Sequence, residues 1–227
     1  TSLDLGNSFD TSNATNMIGM FWDCGYEAMT SLNLGDKFDT SNVTNMNNMF
    51  SGCGRESMTI FSLGNNFNTS KVTYMNGMFS YFGNVLTNLN LGSKFDTGEV
   101  ISMSTMFMGC EVSNIDLGSN FNTSKVKTMN SMFYSCGFNS MTSLDLGDNF
   151  DTSEVTNMKS MFKECGYKKM TSLNLGNKFN TTSVTDMSNM FNSCGSMSMT
   201  TLDLGPAFTK IASTNTDMFT YAGKSGA

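Results

Sequence analysis

The chain repeats one short pattern along its whole length of 227 residues. The string LxLGxxF, or a close variant of it, occurs eight times, with its first apolar residue at Leu3, Leu32, Phe61, Leu89, Ile115, Leu144, Leu173 and Leu202. These positions lie 29 residues apart, except in the middle, where the spacing falls to 28 and then to 26. A period of this length is typical of solenoids, whose units bury their apolar faces only against one another. We therefore predict one solenoid domain of eight stacked coils over residues 1–227.

The LxL part of each repeat predicts a short β-strand. Side chains two residues apart point to the same face of a strand, so both apolar residues face the core. The residue between them is polar in every copy: Asp4, Asn33, Ser62, Asn90, Asp116, Asp145, Asn174 and Asp203. A glycine follows each motif, and we expect it to end the strand with a backbone angle that a side chain would resist.

A second block follows in each repeat and reads DTSNVTNMNNMFSGC from Asp39 to Cys53. Its apolar residues recur at steps of three, three, one and three, which indicates a helical or 3₁₀-helical segment with one buried stripe. The predicted fold is therefore an α/β solenoid. A parallel β ladder forms one face, and short helical segments form the other.

The ends and the loops of the array also carry information. The length changes fall in the loop after the cysteine of the second block, and a loop accommodates deletions most easily. Residues 206–227 form an atypical last repeat, as expected for a cap. The chain starts at Thr1, in the middle of a repeat unit, so we expect it to be a fragment of a longer protein.

The stretch FDTSNVTNMNNMFSGC from Phe38 and the stretch MTSLDLG from Met141 resemble the BspA-like leucine-rich-repeat surface proteins of bacteria. This resemblance extends over all eight repeats. It implies a right-handed coil of the leucine-rich-repeat kind, in a secreted or cell-wall-attached protein. It also implies adhesion or contact with another cell, without catalytic residues.

Composition argues against several classes of function. The net charge of −6 disfavours binding to nucleic acids and to anionic membranes, and no apolar run is long enough to cross a bilayer. The chain contains no histidine and no nucleophile or phosphate-binding motif, so we expect neither an enzyme nor a cofactor.

Four columns of recurring residues invite chemical interpretations, for which we prefer structural ones. The six cysteines and the Met-x-x-Met-Phe motifs each keep one position in the repeat, which favours core packing over disulfides, zinc or redox chemistry. An Asp/Asn column beginning at Asp10 favours turn capping over calcium. A threonine column beginning at Thr11 leaves an ice-binding solenoid as a remote alternative.

The positions that vary between repeats are the candidate contacts. Aromatic and basic residues at exposed positions are common anchors of binding surfaces. These positions are Trp22, Tyr26, Arg55, Tyr134, Phe138, Tyr167, Lys168 and Lys169. The first hypothesis is an extracellular, non-catalytic module that binds a protein or glycan on another cell or matrix. The alternative is a structural spacer, or a unit that assembles with copies of itself.

Overall fold

A computed structural model describes residues 1–64 and 66–223. The described residues form eight short strands, and each contains the first apolar residue of one LxL motif. The strands are β1 (Ser2–Asp4), β2 (Ser31–Asn33), β3 (Ile60–Phe61), β4 (Asn88–Asn90), β5 (Asn114–Asp116), β6 (Ser143–Asp145), β7 (Ser172–Asn174) and β8 (Thr201–Asp203). In β4, β5 and β6 the apolar residue is buried between two exposed polar ones, which confirms the predicted orientation.

The strands pair in parallel and in register, so the chain is a parallel β-solenoid. Leu3 pairs with Leu32, Leu144 with Leu173, and Leu173 with Leu202. The described strands form three sheets, in the orders β1-β2-β3, β4-β5 and β6-β7-β8. We number the coils 1 to 8, each coil beginning at the strand of the same number.

The second block does not form the predicted helix. Its backbone is a series of turns throughout the described coils. In coil 2 the amides of Met49 and Ser51 donate to carbonyls three residues earlier, both at 3.2 Å. Those of Asn48 and Phe50 donate instead to coil 3, at 2.8 and 2.9 Å. In a helix every one of these amides would donate to a carbonyl of its own segment. The φ of 56° at Asn48 also excludes a right-handed helix.

This alternation produces a second inter-coil ladder, on the face where the helix was expected. We call the second block of a coil its turn column. Parallel bridges join the turn columns of all eight coils, at Asn16, Asn45, Tyr74, Ser102, Thr128, Asn157, Asp186 and Thr214. The three-residue spacing in the sequence thus reflects turns that hydrogen-bond sideways to the next coil.

The core lies between the strand face and the turn columns. Two columns of phenylalanine rings run through it, one from Phe9 and the other from Phe21. Rings from neighbouring coils stack nearly parallel, for example Phe150 on Phe179 at 6.1 Å and Phe133 on Phe162 at 5.5 Å between ring centres. The methionines of the turn columns fill the remaining space, and Met161 is fully buried.

The Asp/Asn and threonine columns form the corner between the two faces. In each of the first seven coils the Asp/Asn side chain accepts a hydrogen bond from the amide two residues later, as Asp39 does from Ser41 at 2.8 Å. The threonine next to it is buried. In the first six coils its hydroxyl donates to a carbonyl of the following coil, as Thr152 does to Asn180 at 2.7 Å, whereas the Thr181 hydroxyl accepts from the Lys210 amide at 3.0 Å. These columns are therefore structural, and the buried threonines present no face to ice.

Candidate functional site

The loops after the cysteine column line up along one edge of the solenoid, which we call the loop ridge. It comprises residues 25–28, 54–57, 83–85, 111, 137–140, 166–169 and 195–198. Backbone bonds connect its successive loops, because the amide of Glu56 donates to Tyr26 O at 2.9 Å and the amide of Lys168 donates to Phe138 O at 3.0 Å. The loops are thus held by the stack, and they place side chains from neighbouring coils side by side.

Arg55 is the centre of the first cluster on this ridge. Its guanidinium carbon lies 5.5 Å from the ring centre of Tyr26 and 5.2 Å from that of Tyr81. Its Nη1 also donates to the Tyr26 hydroxyl at 2.9 Å. Cation–π contacts on two rings fix the direction of the guanidinium, and the side chain remains about one-third exposed. The cluster therefore presents an ordered cation between two aromatic rings.

The second cluster consists of Phe138, Tyr167 and Lys168. The two rings stack at 4.7 Å between centres, with planes 1° apart. The Lys168 ammonium lies 5.9 Å from the Phe138 ring centre. Both rings are half-buried, so they combine a fixed position with accessible aromatic surface.

Glu111 lies in the shortened loop between the two clusters. Its carboxylate accepts two bonds from Asn139, from the backbone amide at 3.1 Å and from Nδ2 at 3.0 Å. Burial raises the pKa of this carboxyl, while the bonds from Asn139 and the charges of Lys168 and Arg55 act in the opposite direction. The ridge thus carries cations on both sides of one partly buried acid.

The remaining candidate residues take different places. Lys169 is an exposed member of the loop ridge. Trp22 is 61% exposed and belongs to the turn column of coil 1. Tyr134 occupies the same column in coil 5, where the Lys163 ammonium lies 5.5 Å from its ring centre. The structure therefore places six of the eight candidates on the ridge and two on the neighbouring turn columns.

Sequence reasoning missed Tyr81 and Glu111. Tyr81 lies one residue before the core position of its repeat, where six of the other coils carry glycine, serine or an acid and the atypical coil 8 carries Tyr221. Its ring occupies the space beside Gly109, where an added Cβ would lie 2.7 Å from the ring. The detectable signal was an aromatic residue at a position that is small or acidic in the other coils before the atypical last one.

The cysteine column belongs to the core or packs against it. All six thiols are free; five are buried, and Cys24 is half-buried. Burial raises the pKa of Cys165 to about 12, so its thiol stays protonated and unreactive at neutral pH. The described residues contain no group of three or more Cys, Asp or Glu side chains placed to hold a metal ion. Within the same residues, no helix has the length and hydropathy needed to span a bilayer.

Comparison with known proteins identifies the repeat family. The family model described as "Mycoplasma protein of unknown function, DUF285" matches residues 3–63, 55–173 and 137–225. No curated protein and no solved structure matches the chain. Because the matches extend over nearly the whole chain, the protein belongs to the DUF285 repeat family.

Proposed function

We propose that the chain is a non-catalytic repeat module that binds a protein or glycan at the bacterial cell surface through its loop ridge. The observation that carries this proposal is the pair of ordered aromatic–cation clusters around Arg55 and Tyr167. Tyrosine and arginine are over-represented among the residues that dominate binding energy. The rings and the guanidinium are also held in place before a partner arrives, which lowers the entropy lost on binding.

The extracellular location and the adhesive role rest on the resemblance to BspA-like surface proteins. The same resemblance suggests that the coil is right-handed. Physical chemistry supports that hand, because crossover connections between parallel strands of one sheet are right-handed in about 98% of cases.

A direct test is to screen the purified chain against a glycan array and an array of extracellular-matrix proteins. Arg55→Ala and Tyr167→Ala should each weaken binding to any hit by about tenfold or more, as expected for hot-spot residues. The control is Lys178→Ala, which removes an exposed cation from the turn after β7, away from the ridge. Absence of hits, or hits that tolerate both ridge variants, would contradict the proposal.

A second candidate is self-assembly of coils end to end. The first ring of one phenylalanine column and the last ring of the other are open, with Phe9 of coil 1 42% exposed and Phe219 of coil 8 43% exposed. A second copy could continue these columns by ring stacking. Light scattering should then show oligomers that Phe219→Ser dissolves, whereas a monomer at high concentration would exclude this candidate.

A further inference from the structure

Two cavities meet on the strand face, away from the loop ridge. The larger, of about 650 Å³, lies between coils 3 and 4 and has Phe61, Leu63 and Leu91 in its wall. The smaller, of about 500 Å³, lies between coils 2 and 3. Both are lined by Ser62 and Gly64 of coil 3, so the two cavities lie next to each other across three coils. We call this pair of cavities the strand-face trough.

The trough lies where the coils separate. Strand β3 has only two residues, and the sheet that contains it ends before β4. Across four of the five junctions with paired strands, the leucine that follows the strand donates its amide to the next coil, as Leu5 and Leu175 do at 3.0 Å; the exception is Leu34, whose next coil contains the two-residue β3. Within the described residues, the corresponding Leu63 amide has no such bond to Asn90 of coil 4. Backbone hydrogen-bonding groups of the strand face therefore lack their usual partner at the junction of coils 3 and 4.

The space beside the glycines that end the strands also shows that the coils separate here. A Cβ added to Gly35 would lie 2.2 Å from the carbonyl oxygen of Gly6, because coils 1 and 2 are in close contact. A Cβ added to Gly64 or Gly92 would meet no atom within 4 Å. Open space therefore lies on the coil-2 and coil-4 sides of Gly64, where the two cavities lie.

Coil 3 also departs from the repeat in sequence at this place. The residue before the first LxL position is polar in seven coils, namely Ser2, Ser31, Asn88, Asn114, Ser143, Ser172 and Thr201. In coil 3 it is Ile60, which is 67% exposed and lines the smaller cavity. The next two positions change as well, to Phe61 and Ser62, where other coils carry an aliphatic residue and an Asp or Asn. Three consecutive departures thus border the trough.

We propose that the strand-face trough binds an extended peptide segment of a partner protein. The Leu63 amide offers a hydrogen bond to a main-chain carbonyl. The wall of Phe61, Leu63 and Leu91 accepts one apolar side chain, and Ile60 accepts a second. In an extended chain, side chains two residues apart point the same way and lie about 6.6 Å apart. An extended segment can thus direct alternate side chains at the two cavities.

The charges at the two ends of the trough set the pattern of the peptide. Lys94 lines the cavity on the coil-4 side, and Asp36 lines the cavity on the coil-2 side. The favoured segment therefore carries an acidic residue toward Lys94, two apolar residues separated by one position, and a basic residue toward Asp36. An extended chain meets all of these groups at once, because it offers main-chain carbonyls together with side chains at regular spacing.

The test is selection of a random seven-residue peptide library, displayed on phage, against the purified chain. An enriched peptide is then synthesised with a fluorophore, and its affinity is measured by fluorescence anisotropy. Ile60→Asn restores the polar residue type of the column, and Ser93→Trp fills the larger cavity from an exposed position. Each should weaken binding by about tenfold. Asn177→Trp, at the equivalent exposed position of coil 7, should change it less than twofold.

The outcomes separate this proposal from binding by the ridge. Enrichment of the acidic–apolar–x–apolar–basic pattern, with binding lost in Ile60→Asn and Ser93→Trp but kept in Arg55→Ala, supports a peptide site in the trough. Failure to enrich any pattern, or peptides that bind both trough variants normally, overturns it. A ridge ligand should in turn bind Ile60→Asn unchanged, so either proposal can fail without the other.

Discussion

The two inter-coil ladders of this solenoid behave differently along the stack. The bridges between turn columns continue through all eight coils, whereas the described strands form three separate sheets. Both interruptions occur where a loop of full length neighbours a shortened one. Strands β4 and β5, which follow the two shortened loops, pair with each other and with neither flanking sheet. The turn columns therefore keep the coils in register, and the strands absorb the changes in loop length.

The two faces differ in the number of hydrogen bonds and buried side chains that they share with the next coil. A strand offers two or three residues per coil, and its outer side chains are exposed. A turn column contributes alternate amides to the next coil and places methionine and phenylalanine side chains in a fully buried layer. Loss of register there would break hydrogen bonds and ring stacking together. The predictions below test this difference, beginning with the largest expected effect.

The turn-column core should not tolerate a charge. Met161 is fully buried in coil 6, so Met161→Asp leaves either an unpaired charge or a carboxyl kept protonated at a free-energy cost. We expect the free energy of unfolding to fall by about 4 kcal/mol or more, measured by urea denaturation. Lys159→Asp, two residues away and exposed, is the control and should cost less than about 0.5 kcal/mol. Equal losses in the two variants would refute the inward orientation of Met161.

Much of the fold was predictable because its signal is repeated. The period, the strands and the positive φ of the glycine after each strand, such as 77° at Gly176, follow from the pattern of LxLG. The turn columns were mistaken for helices because inward side chains at steps of three fit both structures. A turn column differs from a helix in the acceptor to which alternate backbone amides donate. Those of Asn48 and Phe50 bond to another coil, and the spacing of residues within one repeat does not encode that.

The candidate site was predictable only in part, for a related reason. Comparing repeats showed which positions vary, and this found Arg55, Phe138 and Tyr167. It did not show which of them meet, since the contact between Arg55 and Tyr81 depends on the stacking of different loops. The trough was hidden for the same reason. Ile60 departs visibly from its column, but the separation of coils 3 and 4 is a property of the stack.

Gly176 and Gly147 should distinguish one closed junction from one open junction. A Cβ at Gly176 would lie 2.4 Å from the carbonyl oxygen of Gly147 across the closed junction of β6 and β7. A Cβ at Gly147 would meet nothing within 4 Å, because β5 and β6 are not paired. Both glycines have positive φ, so alanine at either position costs about 1 kcal/mol in backbone strain. We expect Gly176→Ala to cost about 3 kcal/mol in total, since the backbone must also shift.

Thermal and urea unfolding of the two alanine variants provide the measurement. The difference between them isolates the contact between coils, because the backbone strain is common to both. A Gly147→Ala variant as unstable as Gly176→Ala would mean that the strand ladder is closed at β5–β6 after all.

The buried threonines should show how much the strand ladder adds at a junction that the turn columns already hold together. Thr69 joins coil 3 to coil 4, where the strands are unpaired, through a 2.7 Å bond to Asp96 O. Thr152 joins coil 6 to coil 7, where the strands are paired, through a bond of the same length. Valine has nearly the shape of threonine but leaves the buried carbonyl without its donor, which costs about 1–2 kcal/mol.

At the closed junction, the paired strands keep the coils together while the carbonyl finds another partner. At the open junction no paired strands hold the two coils together, so Thr69→Val should be the more destabilising variant. In that variant, amide hydrogen exchange should accelerate in the turn columns of coils 3 and 4. If the two variants lose equal stability and show no local exchange, the strand ladder contributes little even where it is complete, and the turn columns alone hold the stack.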